Sequence, residues 1–370
     1  MAGFAVMKIF RRVMLAALLI LAAPLLAGQT LVVNANGYSI DKKGKVQRFS
    51  TLLIGEDGKV VSVLRKGKSE PKLSDGDYRL DVKGKTLLPG LIETHGQILR
   101  QALLMRGFTP ETADSASPVQ RELALIAYLD KLPTLGVTGV HDMGTTAADW
   151  ALLRSLGDAG RLNVRITAYA DDMPAMEAIA PLRPTPWLYE GRLRLQGIFL
   201  RADNMGAADT RMKNLFSRSN YFGYQVAVEA TDPVAITRVL DSFAVIRPAY
   251  GGKYRNRIEQ AQNPAPADLE RLAELETLMM APTRPGTPPF ALLHAALLRG
   301  EDMATALASL TTGAAFAGHA DDAVGSLAPG KWADFILVDQ DPFAIAPESV
   351  PAIRVEETWL AGKRLFQATR

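Results

Sequence analysis

The feature that most constrains the fold is a repeated order: a short apolar run, then a polar or titratable residue, then a helix-like segment. This order recurs from Leu87 to about Gly318, and strands that alternate with helices are typical of βα units around a parallel sheet. A βα-barrel builds its site at the carboxyl ends of its strands. We therefore expect a shared site from the residues that end five of these runs: His95, Asp142, Asp203, Glu229 and Gln260.

Helix-start signals separate these runs. Ser117 and Pro118, with Gln120 three positions after the serine, supply a cap, a proline at the first helical position and a capping-box partner. Thr146 precedes the apolar segment of another predicted helix, and the pair Asp232–Pro233 opens a third.

Both ends of the chain have a different character from this middle part. Residues 30–79 and 334–366 consist of short β-rich runs, and the Asp57–Gly58 pair between two of them is a strong hairpin signal. We predict an α/β protein of TIM-barrel type, with a small β-sandwich domain from residues 28–86 and 324–370 and a barrel domain from residues 87–323. The sequence leaves open whether the barrel closes, because no apolar run with a polar end falls between Pro282 and Phe290.

The first 27 residues form a separate block with the order of a secretory signal. Lys8, Arg11 and Arg12 precede an apolar run from Val13 to Ala27, and small residues follow it. That run is shorter than the ~20 residues that a spanning helix needs. We therefore expect an exported, periplasmic or secreted protein without a stable membrane anchor.

Composition excludes several classes of function. The three basic residues of the first block account for the whole formal charge of +3, so the rest of the chain gives no support to nucleic-acid binding. The chain has no cysteine, which excludes disulfides and thiolate metal sites. It also lacks a glycine-rich phosphate loop. No nucleophile elbow is present either, so the sequence gives no support to a serine hydrolase.

Several segments resemble the amidohydrolase superfamily, and the resemblance covers almost all of the chain after residue 27. Residues 84–90 are similar to the segment that leads into the barrel of that family, and residues 325–339 to the segment that returns to its small β-domain. Residues 223–232 and 255–262 are similar to the amidohydrolase-3 or YtcJ-like branch, which carries His-Ala-Ile-Gly-Asp and Glu-His-Ala-Gln there. The resemblance implies a metal-dependent hydrolase of amide and related carbon–nitrogen bonds.

The departures from the family pattern lie at the expected metal ligands. The first strand closes in His-x-His in the family, and His95 is retained while the second histidine is Gln97. Phe199 stands at the family's lysine, Glu229 at the strand-5 histidine and Gln260 at the strand-6 histidine. The strand-8 aspartate has no clear counterpart.

These substitutions leave a reduced donor set. A hydrolytic metal needs about three protein ligands and an open position for water, and phenylalanine cannot ligate at all. By resemblance, His95 and Glu229 are the candidate metal ligands, zinc is the expected ion, and Glu229 and Asp203 are the candidate catalytic carboxylates. Residues that would lie around this site or at former ligand positions are Glu93, Gln97, His141, Asp142, Phe199 and Gln260.

Two functions therefore remain open. The chain is either a hydrolase of a small amide-like molecule with a reduced site on His95 and Glu229, or a catalytically inactive barrel that binds a small ligand. His141 has a similar ambiguity: it is either a histidine beside the site, with Asp142 as its partner, or a structural hydrogen-bonded histidine.

Overall fold

The computed structural model describes residues 28–202, 209–250 and 254–369. Within these ranges the chain forms three sheets and ten α-helices. Among the described residues, no helix is both long enough and apolar enough to cross a membrane.

Two sheets build the predicted sandwich from both ends of the chain. One has the strand order β5-β4-β1-β6 and the other the order β17-β16-β15-β7-β2-β3. Their facing side chains form one core, in which Val32 and Leu52 of the first sheet meet Phe335 and Trp359 of the second. The strands are β1 Thr30–Val33, β2 Asn36–Ile40, β3 Val46–Phe49, β4 Thr51–Ile54, β5 Val60–Leu64, β6 Tyr78–Asp81, β7 Thr86–Pro89, β15 Phe335–Val338, β16 Val355–Leu360 and β17 Lys363–Gln367.

Strands β4 and β5 pair antiparallel across the predicted Asp57–Gly58 hairpin. Strand β7 pairs with β15 along its whole length. The chain therefore leaves the sandwich after Pro89, three residues beyond the boundary predicted from the sequence.

The third sheet is parallel and has the order β14-β13-β12-β11-β10-β9-β8. Its order follows the chain, as expected for consecutive βα units. The strands are β8 Leu91–Gly96, β9 Val137–Thr145, β10 Arg165–Ala170, β11 Leu193–Arg201, β12 Gln225–Glu229, β13 Arg257–Glu259 and β14 Leu278–Met279.

Helices connect these strands and then lead out of the barrel. The capping box between Ser117 and Gln120 is present, and Thr146 caps α3 through a second capping box with Asp149. The helices are α1 Ile98–Met105, α2 Pro118–Lys131, α3 Ala147–Asp158, α4 Met173–Ile179, α5 Asp209–Tyr221, α6 Pro233–Tyr250, α7 Pro266–Glu274, α8 Pro289–Leu298, α9 Met303–Ser309 and α10 Thr312–Ala317. The predicted α/β fold with a barrel-like parallel sheet and separate sheets is therefore confirmed in this form.

A buried ion pair joins the barrel to the sandwich. Arg165 at the start of β10 binds Asp334 through both carboxylate oxygens, with Nε–Oδ2 at 2.6 Å and Nη2–Oδ1 at 2.9 Å. Both side chains are almost fully buried, and the Arg165 guanidinium also stacks on the Trp332 ring. The segment that returns to the sandwich is thus fixed against the amino-terminal end of β10.

Candidate functional site

The most polar part of the barrel interior is built on β13. Side chains two positions apart on a strand share a face, so Arg257 and Glu259 point to the same side while Ile258 points to the other. Both are fully buried, and the Arg257 Nε donates to the Glu259 Oε1 at 2.6 Å. Burial raises the pKa of Glu259, but the Arg257 charge and the hydrogen bonds from His95 and Arg257 together lower it more, and the net shift is downward. The carboxyl is therefore an anion that faces a permanent cation.

The Arg257 guanidinium has partners on three other strands. Its Nη1 lies 2.9 Å from the His141 Nδ1 on β9 and 3.1 Å from the Tyr169 hydroxyl on β10. Its Nη2 donates to the carbonyl of Thr94 on β8 at 2.8 Å. The side chain thus links β13 to the first three strands of the parallel sheet from inside.

His141 is held as a neutral hydrogen-bond acceptor in this network. Burial and then the Arg257 charge lower the pKa of this histidine well below its ordinary value, so Nδ1 accepts from the guanidinium. The predicted pairing of His141 with Asp142 is wrong, because neighbouring residues of a strand point to opposite faces. The structural interpretation of His141 is the one that the contacts support.

His95 is bound to the same network. Its Nδ1 lies 2.8 Å from the Glu259 Oε2, and its side chain is 4% exposed. The carboxylate that reaches His95 is thus Glu259, which was not among the predicted site residues. The Phe199 ring meets the imidazole edge-on, with ring centroids 5.7 Å apart. It packs with Met143, Tyr169 and Ala227, so an apolar cluster occupies the position of the family's lysine.

Two other predicted residues fasten the segment that follows β14. The Gln260 amide exchanges two hydrogen bonds with the backbone of Thr283, at 2.7 and 2.9 Å. The Glu93 Oε1 accepts from the backbone N–H of Gly286 at 2.8 Å. Burial raises the pKa of Glu93 to about 7 against the opposing effect of that hydrogen bond. Both side chains hold residues 281–288 across the space between β14 and β8.

Asp142 supports the start of α1. Its Oδ1 accepts from the backbone N–H of Ile98 at 2.8 Å, and its Oδ2 accepts from the Thr145 hydroxyl at 2.7 Å. Complete burial raises the pKa of this carboxyl to about 6, although the Ile98 N–H opposes the shift. Gln97 precedes this helix without capping it.

A cavity of about 240 Å³ opens at the carboxyl ends of β8–β11. Its wall contains Gln97, Asp142, Asp171 and Arg201, together with side chains of α1, α2 and α3. The Arg201 guanidinium lies 4.8 Å from the centre of the Phe199 ring and 3.4 Å from the Asp171 carboxylate. This cavity is at the barrel end where sites of this architecture are found.

The two predicted catalytic carboxylates have different outcomes. Glu229 ends β12 and is half-buried, and no hydrogen bond or ion pair of its side chain is found in the described part of the chain. Asp203 lies outside the described residues. Their catalytic roles stay predictions.

The side chains around His95 do not fit a divalent metal. In the ranges 28–202, 209–250 and 254–369, no three His, Cys, Asp or Glu side chains are grouped so as to hold one. His95 keeps only its Nε2 for a metal because its Nδ1 is hydrogen-bonded to Glu259, the Gln260 amide is engaged by Thr283, and Phe199 offers no donor. The guanidinium of Arg257 lies among the remaining donors, and its positive charge opposes a second cation there.

Arg257, Glu259 and Tyr169 are important members of the site that the sequence reasoning missed. A signal did exist for the first two, because an arginine and a glutamate flank a single apolar residue in a predicted strand and must share its inner face. Arg201 and Asp171 gave no such signal, since Arg201 ends β11, Asp171 follows β10, and the two meet only in the folded barrel.

Comparisons with known proteins agree with this architecture. Residues 295–366 match the profile of Amidohydro_3, the amidohydrolase family. A search of curated protein sequences finds no match.

Solved structures resemble the chain over most of its length. A metal-dependent hydrolase from Pyrococcus horikoshii superimposes with a TM-score of 0.71 at 16% identity, covering 86% of this chain and 99% of that one. A Xaa-Pro dipeptidase with methionine bound in its active site gives 0.67 at 15% identity, with 92% and 100% covered. A putative prolidase from Bifidobacterium longum gives 0.64 at 17% identity, with 93% and 96% covered.

At these identities the likeness to solved structures establishes the fold alone, and the family match is confined to residues 295–366. The matched residues include α9, α10 and most of the segment that returns to the sandwich, which is the part of the chain where the motif resemblance is longest. The chain thus shares the fold of these hydrolase structures, and its residues 295–366 are similar to the amidohydrolase family.

Proposed function

We propose that this protein is an amidohydrolase-fold barrel that binds a small molecule at its mouth, holds no resident divalent metal and has weak or no hydrolytic turnover. The observation that carries this proposal is the position of Arg257. A fully buried guanidinium takes the centre of the donor group, and Glu259, His95 and His141 are arranged around it or its carboxylate partner.

The charge of the Arg257 guanidinium argues against metal binding more strongly than the missing ligands do. A divalent ion among these donors would lie within a few ångströms of the guanidinium charge, in an interior where charges are poorly screened. The proposal extends to the barrel wall: residues 281–288, fastened by Glu93 and Gln260, close the sheet in place of an eighth strand.

The competing function is hydrolysis at a mononuclear site on His95 and Glu229, with zinc as in the resemblance. The free carboxylate of Glu229 favours it, since that side chain has no partner in the described ranges. Such a site would use the His95 Nε2, because Nδ1 is already hydrogen-bonded to Glu259, and a carboxylate in that position commonly orients a ligating imidazole.

Metal titration separates the two functions. We expect purified protein to contain less than stoichiometric zinc by atomic emission, and to take up none with useful affinity by isothermal titration calorimetry. Restoring histidines with Gln97→His and Gln260→His should not create a site while Arg257 is present. Stoichiometric zinc in the unmodified protein would contradict the proposal.

The matched variant adds Arg257→Ala to the two histidine replacements. Removal of the guanidinium leaves Glu259 and His141 facing the vacated space, so zinc affinity should rise in this triple variant and not in the double one. If the double variant binds zinc as tightly as the triple variant, Arg257 does not exclude the metal.

A further inference from the structure

We propose that the cavity at the carboxyl ends of β8–β11 binds a small zwitterion with an apolar side group, its carboxylate on Arg201 and its ammonium group on Asp171. This inference rests on the proposed function, since it names the class of molecule that the barrel mouth takes.

The first argument is that Arg201 and Asp171 are held close without satisfying each other. Their nearest N···O distance is 3.4 Å, longer than the 2.7–2.9 Å of a strong charged hydrogen bond. Both side chains are more than a third exposed. A guanidinium has five N–H donors and a carboxylate about four acceptor positions, and in the described part of the chain this one contact is the only hydrogen bond of either side chain.

The neighbouring ion pair of the cavity differs in each of these respects. Arg121 and Asp149 lie 2.8 Å apart and are more deeply buried. Asp149 is also engaged in the capping box with Thr146. That pair holds α2 against α3, whereas Arg201 and Asp171 have no further hydrogen-bond partner for their side chains among the residues that the structure describes.

The second argument is the charge balance of the wall. Arginine and aspartate both line the cavity, and no patch of a single sign dominates. An anion alone would be attracted by Arg201 but would also lie beside Asp171, and a cation alone would meet the reverse arrangement. A molecule with both charges satisfies both groups. The charged residues of the wall are Arg100, Arg121, Arg201, Asp114, Asp142, Asp149 and Asp171.

The third argument is size and apolar surface. A cavity of about 240 Å³ corresponds to roughly eight water molecules at ~30 Å³ each, which suits a molecule of about ten non-hydrogen atoms. Leu99, Leu103, Ala113 and Met143 supply apolar wall beside the charged groups. A ligand with a short hydrocarbon group next to its two charges therefore fits this wall.

Four molecules of nearly equal shape test the assignment. L-leucine carries both charges, leucinamide only the positive one, 4-methylpentanoate only the negative one, and 4-methylpentanamide neither. Binding to the full-length protein is measured by isothermal titration calorimetry. We expect L-leucine to bind at least about tenfold more tightly than any of the other three, since a hydrogen bond to a charged group contributes that much affinity. Equal affinity for all four, or no binding of L-leucine, would overturn the inference.

Two variants assign the two ends. Arg201→Gln should weaken L-leucine binding about tenfold or more and leave leucinamide unchanged, and Asp171→Asn should weaken L-leucine while leaving 4-methylpentanoate unchanged. The control is Arg299→Gln, which breaks an exposed ion pair with Glu301 on another part of the surface. Loss of L-leucine binding in the control as well, or in neither site variant, would refute the placement.

The outcome is separable from that of the proposed function. Stoichiometric zinc would refute the metal-free barrel whatever the four molecules do. Preference for one of the other three molecules in a zinc-free protein would leave the metal-free binding barrel standing and overturn the zwitterion alone.

Discussion

At the scale of single residues, Arg257 determines the electrostatics of the barrel interior. Its guanidinium balances Glu259 and donates to groups on β8, β9 and β10. A buried ion pair adds little to the free energy of unfolding compared with apolar side chains in its place. Loss of one partner, however, leaves an uncompensated charge in the interior. The network is therefore sensitive to any change that removes only the cation.

We predict that Arg257→Met destabilises the fold by about 3–5 kcal/mol. The substituted chain fills part of the space but leaves the Glu259 carboxylate buried without its cation. Urea unfolding followed by circular dichroism measures the change. Arg79→Gln, which breaks an exposed pair with Glu70, should cost no more than about 1 kcal/mol. Equal effects of the two variants would show that the network contributes nothing beyond a surface pair.

The composition of the site was only partly predictable from the sequence. His95 and Gln260 do lie at the ends of β8 and β13, because that pattern follows directly from strand geometry, whereas β9 continues for three residues beyond Asp142. Their partners could not be predicted in the same way. The contact of His95 with Glu259 joins residues 164 positions apart, and no local pattern encodes which inner side chain of β13 reaches β8.

At the scale of elements, local signals predicted the helices and strands that they cap or turn. The capping boxes at Ser117 and Thr146 and the Asp57–Gly58 hairpin are all present, because each depends on neighbours within a few residues. The position of residues 281–288 depends on hydrogen bonds from Gln260 and Glu93, which are distant in the sequence. The sequence therefore indicated only that a strand signal was missing there.

The start of α1 gives the chain a pH-dependent stability. Burial raises the pKa of Asp142 from 3.8 to about 6, so between these values the folded chain holds a proton that the unfolded chain has lost. The contribution of this group to stability therefore falls as the pH rises from about 4 to about 6.

We predict that Asp142→Asn removes this dependence. Relative to the unmodified protein, the variant should gain up to about 3 kcal/mol between pH 4 and pH 6.5, since each pKa unit corresponds to 1.36 kcal/mol. The amide oxygen can still accept from the Ile98 N–H. Urea unfolding of both proteins across this range measures the difference. A difference that is constant with pH would contradict the raised pKa.

The junction between barrel and sandwich yields a further prediction. Asp334→Asn should destabilise the protein by about 3–5 kcal/mol, because the buried Arg165 charge loses its anion. The amide oxygen can still accept from the backbone N–H of Ala361, so the sandwich turn keeps its contact. Arg354→Gln breaks a more exposed pair with Asp339 in the same segment and is the control. Urea unfolding with similar losses for both variants would rule out a special role for the junction.

At the scale of the whole molecule, the sandwich ties the two ends of the described chain together. Its second sheet places β7 between β2 and β15, and the Arg165–Asp334 pair fixes the barrel beneath it. With no cysteine in the sequence, no disulfide contributes to this stability. The first strand, β1, starts at Thr30, directly after the predicted signal segment.

We therefore predict that cleavage during export removes only residues 1–27 and leaves the fold intact. Residues 1–27 lie outside the described ranges, and from their basic, apolar and small-residue order we predict that they are a cleaved signal. Protein recovered from the periplasm should have an amino terminus near Gly28 by mass spectrometry. Ala27→Leu should retain the uncleaved form, because the cleavage site requires small residues. Periplasmic protein that begins at Met1, or cleavage that Ala27→Leu does not affect, would contradict this assignment. The processed protein should have the same thermal stability as a chain produced from Gly28 onward.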